Sequence, residues 1–226
     1  GEPGPLTLAL ENPEWPGETR GIRDARRSST KIMRLLTRGN PPVDEIARRA
    51  APYIAEGFLI QPLNEPNIES VEGFAGGPEA FGEWCLELSQ VADLGNYICP
   101  PISPGYGHDV LKYWLLRSAR LPWAALTAHC YGSRARMMED LEVVVGIARA
   151  VGTRVIVGEA SIAAGENPDA WANNDLPFFL MGVLGMPEVA GVAVFAPEWN
   201  RPDPGFSPLN MRGTSVEQTM RRFVKW

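Results

Sequence analysis

The chain is short of the side chains that most often do chemistry, with two histidines and three cysteines among its 226 residues. Cys85, Cys99 and Cys130 are too few and too scattered for a disulfide framework or a zinc site. They allow one bridge and leave one thiol over. Positive charge is scarce too: 21 Lys and Arg stand against 27 Asp and Glu, a formal net charge of −6. With no basic stripe to compensate, a nucleic-acid partner held through its phosphates is excluded. No apolar run reaches the length of a membrane span, and no secretory signal peptide is visible. No glycine-rich loop follows an apolar run, which removes the main evidence for a nucleotide-binding fold. These absences point to a neutral or weakly charged ligand.

What is present suits a globular core, since 45% of residues are hydrophobic. Short apolar runs alternate with segments of helical period. Leu6–Leu10 reads as a first strand, and a basic, partly amphipathic segment from Gly21 to Arg38 reads as a helix. Val43, Ile46, Ala47, Ala50, Ala51 and Ile54 recur at helical spacing, and Gly57 ends that helix. Further strands are expected at Phe58–Leu63, Tyr97–Ile102, Trp123–Tyr131, Arg154–Glu159 and Gly191–Phe195. Helices are expected at 78–94, 109–120, 134–151, 169–184 and 214–225. The strands are continuously apolar, as parallel strands covered by helices are. The expected fold is α/β, a TIM-type (β/α) barrel formed by residues 1–226 as one domain, with polar residues at the carboxyl ends of its strands.

Six βα units are counted where a full barrel has eight. An open arc exposes two strand edges, so an upstream segment or a second chain is expected to complete it. The chain starts at Gly1 rather than Met, which fits something upstream having been removed or never included.

Two of the strands end in carboxylates. Phe58-Leu59-Ile60-Gln61-Pro62-Leu63-Asn64-Glu65-Pro66-Asn67 runs from apolar residues into an amide, an acid and a proline. Proline stops the strand and turns its predecessor away from helical angles. Val155-Ile156-Val157-Gly158-Glu159-Ala160 repeats the pattern. Paired carboxylates on neighbouring strand ends are what glycosidic bond cleavage needs. Between them lies Ala128-His129-Cys130-Tyr131, in which His129 and Tyr131 share a face.

With Asn64-Glu65-Pro66, His129-Cys130-Tyr131, Glu159 and Trp199 placed at successive strand ends, the chain resembles the clan A glycoside hydrolases, retaining (β/α)8 enzymes that include many cellulases, mannanases and xylanases. In that clan the Asn-Glu pair ends strand four and the nucleophile ends strand seven. The six units then correspond to strands three to eight, with Leu6–Leu10 as strand three. The resemblance implies that Glu65 is the general acid and base and that Glu159 is the nucleophile of a double displacement. It implies that Asn64 donates to the sugar hydroxyl beside the reacting carbon, that Tyr131 holds Glu159, and that His129 and Trp199 belong to the substrate site. Trp199 is the aromatic floor under the sugar, with Phe195 and Glu198 competing for its place.

Two like charges close together favour protonating one, so Glu65 is expected to remain an acid near neutral pH. Trp15 and Tyr106 are placed on loops at the same rim, whereas Trp84, Trp114 and Trp123 are expected in the core. The clan commonly sets an arginine at the end of strand two against the nucleophile. It has no counterpart here, and Arg23, Arg134 and Arg201 are the stand-ins considered.

The implied activity is hydrolysis of a β-linked oligo- or polysaccharide, needing no metal or organic cofactor and no membrane or nucleic-acid partner, and an extracellular setting is favoured by a glycan substrate. The alternative is a glycan-binding protein on a degenerate barrel. Retention of both acids argues for the enzyme, and the incomplete barrel argues for the binder.

Overall fold

The computed structural model describes residues 6–10, 30–68, 73–162, 168–194 and 218–219. Its strands are β1 (Leu6–Leu10), β2 (Thr30–Arg34), β3 (Leu59–Gln61), β4 (Leu126–Tyr131), β5 (Val155–Ser161) and β6 (Val189–Val194). Between them run α1 (Val43–Ala55), α2 (Gly77–Val91), α3 (His108–Leu115), α4 (Arg134–Val151) and α5 (Pro168–Leu184). Every strand pairing is parallel, in the orders β1-β2-β3 and β4-β5-β6. The α/β expectation therefore holds, with helices as the crossovers that parallel strands require.

The two sheets meet through residues 97–102. There Tyr97 bridges to Ile60, Ile98 to Ala125 and Ile102 to Ala128, all in parallel. The expected strand Tyr97–Ile102 is thus a series of isolated bridges. Pro100 and Pro101 explain why: neither has an N–H to give to a ladder. At the other end β1 lies beside β6, with Leu6 packed against Ala190 and Gly191. Among the described residues no backbone ladder joins those two strands.

One expectation fails outright. Thr30–Arg34 lies inside the segment read as a helix from Gly21 to Arg38, yet it is a strand paired on both sides. Its pattern is period two, with Ile32 buried in a small apolar cluster and Lys31 reaching the Glu56 carbonyl and the Phe58 ring. The basic residues had suggested a solvated helix face. Pairing to two neighbours outweighs that local preference. The parallel series accordingly gains a strand, and Leu6–Leu10 stands two strands before Glu65 rather than one.

Boundaries elsewhere are close. Helix α4 covers Arg134–Val151 as read from sequence, capped by the Ser133 hydroxyl, which accepts from Arg136 N. It ends where Gly152 takes φ +75°, a left-handed angle that glycine adopts without cost. Helix α2 stops at Val91, and Leu94–Asn96 continues as a 3-10 turn. Helix α3 stops at Leu115 rather than Arg120. The helix expected at 214–225 lies outside the described residues except for Gln218 and Thr219, which are helical.

Burial divides into two clusters. A smaller cluster of Ile32, Ile98, Ala125 and Ile156 is joined by Leu6, Leu8, Leu59 and Ala190. A larger cluster packs the helices onto the strands. Trp84, Trp114 and Trp123 belong to that larger core, as expected. The three cysteines are free and buried, so the bridge left open by the sequence is not formed. Among the described residues no helix is long and apolar enough to cross a membrane.

Candidate active site

Polar side chains take over where the smaller apolar cluster stops, at the carboxyl ends of the strands. Arg34 closes β2 and Gln61 closes β3, in register with each other. After Gln61 the chain passes Pro62 and Leu63 to Asn64 and Glu65. Glu65 opens a turn in which Ile68 N donates to the Glu65 carbonyl, with Pro66 at the next position. Its φ of +40° makes it the one non-glycine residue in the left-handed region among those described. Such a conformation costs roughly 1–3 kcal/mol and is characteristically kept at functional sites.

Glu159 arrives by a different device. Between β4 and β5, Ala128 pairs with Val157 but His129 pairs with Glu159, so Gly158 is an extra residue. Strict alternation would put Glu159 on the opposite face from Ile156 and Gly158. The bulge re-aims it. Gly158 is required for this, because a Cβ there would lie 2.8 Å from Thr127 Cγ2 and 3.4 Å from His129 Nε2.

These devices bring four of the expected residues together. Tyr131 Oη donates to Glu159 Oε2 at 2.7 Å and lies 3.2 Å from Glu65 Oε1. His129 Nδ1 lies 2.9 Å from the same Glu65 oxygen and 3.0 Å from Tyr131 Oη. The two shortest contacts are satisfied when the His129 Nδ1–H donates to Glu65 and the Tyr131 hydroxyl to Glu159. The facing carboxylate oxygens are separated by no more than the two tyrosine contacts laid end to end, about 5.9 Å. Both acids are buried, Glu65 at 8% and Glu159 at 7% exposure.

An arginine does reach Glu159, from the end of the strand next to β3 rather than from two strands before it: Arg34. Its Nη1 meets Glu159 Oε1 at 2.5 Å, and both side chains are largely buried. Arg134 stacks on Phe178, and Arg23 and Arg201 lie outside the described residues. Arg34 went unnoticed because its segment was read as a helix. An alternating Thr30-Lys31-Ile32-Met33-Arg34 run ending in a cation was the available signal.

His129 has no exposed side-chain surface. Its Nδ1 faces Glu65 from beneath the surface. Its Nε2 is 4.0 Å from Glu159 Oε1 and has no hydrogen-bond partner among the described residues. Asn64 is half-buried, its Oδ1 accepting from Gln61. Tyr106 is exposed on the rim. Trp199, Trp15, Phe195 and Glu198 lie outside the described residues.

Ser103 and Asn67 also escaped the sequence reading. Asn67 Nδ2 donates to the Ser103 carbonyl at 2.9 Å and its Oδ1 accepts from Ser103 N at 2.7 Å, with both residues buried. That pair fixes the segment from which the Ser103 hydroxyl donates to Glu65.

Ionisation of Glu65 departs from expectation. Burial pushes its carboxyl up, but the hydrogen bond and charge of His129, with donors from Ser103 and Tyr131, hold it below the ordinary 4.5. The resting site thus favours an ionised Glu65, not an acid kept protonated near neutral pH. Burial and the charges of Glu159 and Glu65 raise the Tyr131 phenol well above its usual range, so it remains a donor.

No family model and no curated protein matches the chain. Solved structures do. A GH128 (subgroup III) curdlan-specific exo-β-1,3-glucanase from Blastomyces gilchristii, in complex with glucose, aligns with TM-score 0.57 at 19% identity, over 96% of this chain and 90% of that one. The fold is α/β, with parallel sheets and alternating β/α units that match those of a TIM-barrel glycosidase. Looser likenesses to glycosidase-fold structures include a GH128 (subgroup VII) oligosaccharide-binding protein from Trichoderma gamsii, with TM-score 0.49 at 8% identity over 97% of this chain and 79% of that one. A triple mutant of an endo-β-1,4-glucanase from Xanthomonas axonopodis pv. citri gives 0.43 at 12% identity, over 87% of each chain. The structural resemblance to clan A glycoside hydrolases spans most of the chain.

Proposed function

We propose that this chain is a retaining β-glycoside hydrolase. The observation that carries the reading is Tyr131, whose hydroxyl reaches both carboxylates and so limits the gap between their facing oxygens to about 5.9 Å. Retention uses carboxyl groups about 5–5.5 Å apart, whereas inversion needs about 6.5–9.5 Å to admit water.

In the first step Glu159, held by Arg34 and Tyr131, attacks the anomeric carbon, while Glu65 gives its proton to the departing oxygen. The glycosyl–enzyme ester removes the charge of Glu159. Glu65, now ionised, takes a proton from water as the water attacks the same carbon, which releases the sugar and restores Glu159. The donors around Glu65 suit that second step, in which it serves as the base. Asn64 donates to the hydroxyl beside the reacting carbon. Trp199 is assigned to the sugar-stacking floor. The first glycan to test is a β-1,3-glucan, the substrate class of the Blastomyces neighbour.

A second reading, a glycan-binding protein without turnover, draws support from the ready ionisation of Glu65, which makes it a poor resting acid. An activated 2-fluoro β-glucoside separates the two. The enzyme acquires one covalent sugar, which peptide mapping locates on Glu159, and Glu159→Gln acquires none. Reversible protection with no mass increase, together with no hydrolysis of β-1,3-glucan, overturns the hydrolase reading and leaves the binder.

A further inference from the structure

Helix α4 buries an apolar face made of Met137, Leu141, Val144, Val145 and Ala148. Asp140 is buried with them, at 1% exposure. A carboxylate taken out of water is costly unless its partners offset the loss. Here both partners meet one oxygen: His108 Nε2 lies 2.8 Å and Arg136 Nε 3.2 Å from Asp140 Oδ1. Oδ2 has no hydrogen-bond partner among the described residues. Burial accordingly pushes the Asp140 carboxyl above its ordinary 3.8 in spite of both partners. An apolar side chain would fill this place at lower cost. The acid is therefore accounted for by what it holds, not by the helix that carries it.

What it holds is the segment that follows the isolated bridges at 97–102. His108 opens α3, and Arg136 Nη2 also donates to the Pro104 carbonyl at 3.0 Å. Helix α4 thus grips residues 104–108 at both ends. Immediately before them, Ser103 is joined through its backbone N–H and carbonyl to the side chain of Asn67, two positions after Glu65. The left-handed angle at Glu65 persists only where the surroundings impose it. We infer that Asp140 is a positioning residue which, with Arg136 and His108, clamps residues 103–108 and so holds the Glu65 turn where its carboxyl reaches the departing oxygen. The inference rests on the glycosidase reading above. Asp140 touches no substrate and acts through Ser103 and Asn67.

The test uses the leaving group, because proton donation by Glu65 matters for a poor one and little for a good one. It compares kcat/KM for wild type, Asp140→Leu, Asp140→Asn and Arg136→Met on phenyl β-glucoside and on 2,4-dinitrophenyl β-glucoside. Leu fills the space and removes both acceptor oxygens, whereas Asn keeps one. Arg136 is 42% exposed, so Met there releases Pro104 without opening the core. On the phenyl glucoside Asp140→Leu should lose on the order of tenfold, Arg136→Met about fivefold and Asp140→Asn about threefold. On the dinitrophenyl glucoside all four proteins should agree within about twofold, because that leaving group needs no proton from Glu65.

Losses as large on the dinitrophenyl as on the phenyl glucoside would make the cluster merely structural, and no loss on either would remove its role; each result overturns the inference. If Asp140→Leu does not fold, Asp140→Asn and Arg136→Met decide by the same comparison. Wild type that turns over neither glucoside tells against the glycosidase reading alone. The clamp is then decided by crystal structures of wild type and Arg136→Met. Ser103–Asn67 bonds and a Glu65 turn that stay in place refute it. A displaced 103–108 segment, with Glu65 drawn away from His129, supports it.

Discussion

Replacing Gly158 by alanine tests the structural device that delivers Glu159. The added methyl would sit 2.8 Å from Thr127 Cγ2 and 3.4 Å from His129 Nε2, against about 3.5–4.0 Å for relaxed carbon contacts. Roughly an ångström must be found between β4 and β5, where both strands are buried along nearly their whole length. Overpacking of this kind costs about 1–3 kcal/mol. For a chain of this size that lowers the melting temperature by roughly 3–9 °C.

The displaced groups are Thr127 and His129, and His129 carries Glu65, so activity should fall further than stability accounts for. A second change identifies the cause. Thr127→Ser removes the Cγ2 methyl and keeps the hydroxyl, so the double variant should regain most of the lost melting temperature. The measurement is a four-protein cycle of thermal melts with rates of labelling by the 2-fluoro glucoside. If Gly158→Ala melts with wild type, or if Thr127→Ser leaves its deficit unchanged, the account of the bulge as a steric requirement is wrong.

Arg34→Met should cut the rate of covalent labelling on the order of a hundredfold while the fold persists, because Glu159 loses a buried ionic partner and keeps only Tyr131. A rate within threefold of wild type would contradict the role given to Arg34. The folded chain holds the Glu65 carboxyl below 4.5, so its contribution to stability is present above that pH and is lost as pH falls through the lower native value. Urea unfolding measured from pH 6 downward should accordingly show a shallower acid loss in Glu65→Gln than in wild type. For the same reason kcat/KM should fall as pH rises through the Glu65 ionisation and be greatest on the acidic side of neutrality; a flat profile from pH 4 to 8 would refute this. Asn67→Ala leaves the buried N–H and carbonyl of Ser103 without their partners. It should destabilise the chain by about 2–4 kcal/mol, as read by denaturant unfolding.

The sequence by itself determined the α/β character, the parallel strands, most helix bounds and the residues Glu65, Glu159, His129 and Tyr131 as a group. Those features are local: continuous apolar runs, 3.6-residue periods and a proline that stops a strand each act within a few residues. Only the tertiary structure decided that Thr30–Arg34 is a strand, since two neighbouring strands outbid the preference of a basic segment for a helix. It alone decided that Arg34 meets Glu159 and that Asn67 pins Ser103, because each contact joins residues far apart in the chain. The aim of Glu159 shows the division most plainly. Period-two alternation along β5 would turn that side chain away from Gly158 and Ile156, and one extra residue, tolerated because glycine lacks a Cβ, turns it toward Tyr131 and Arg34.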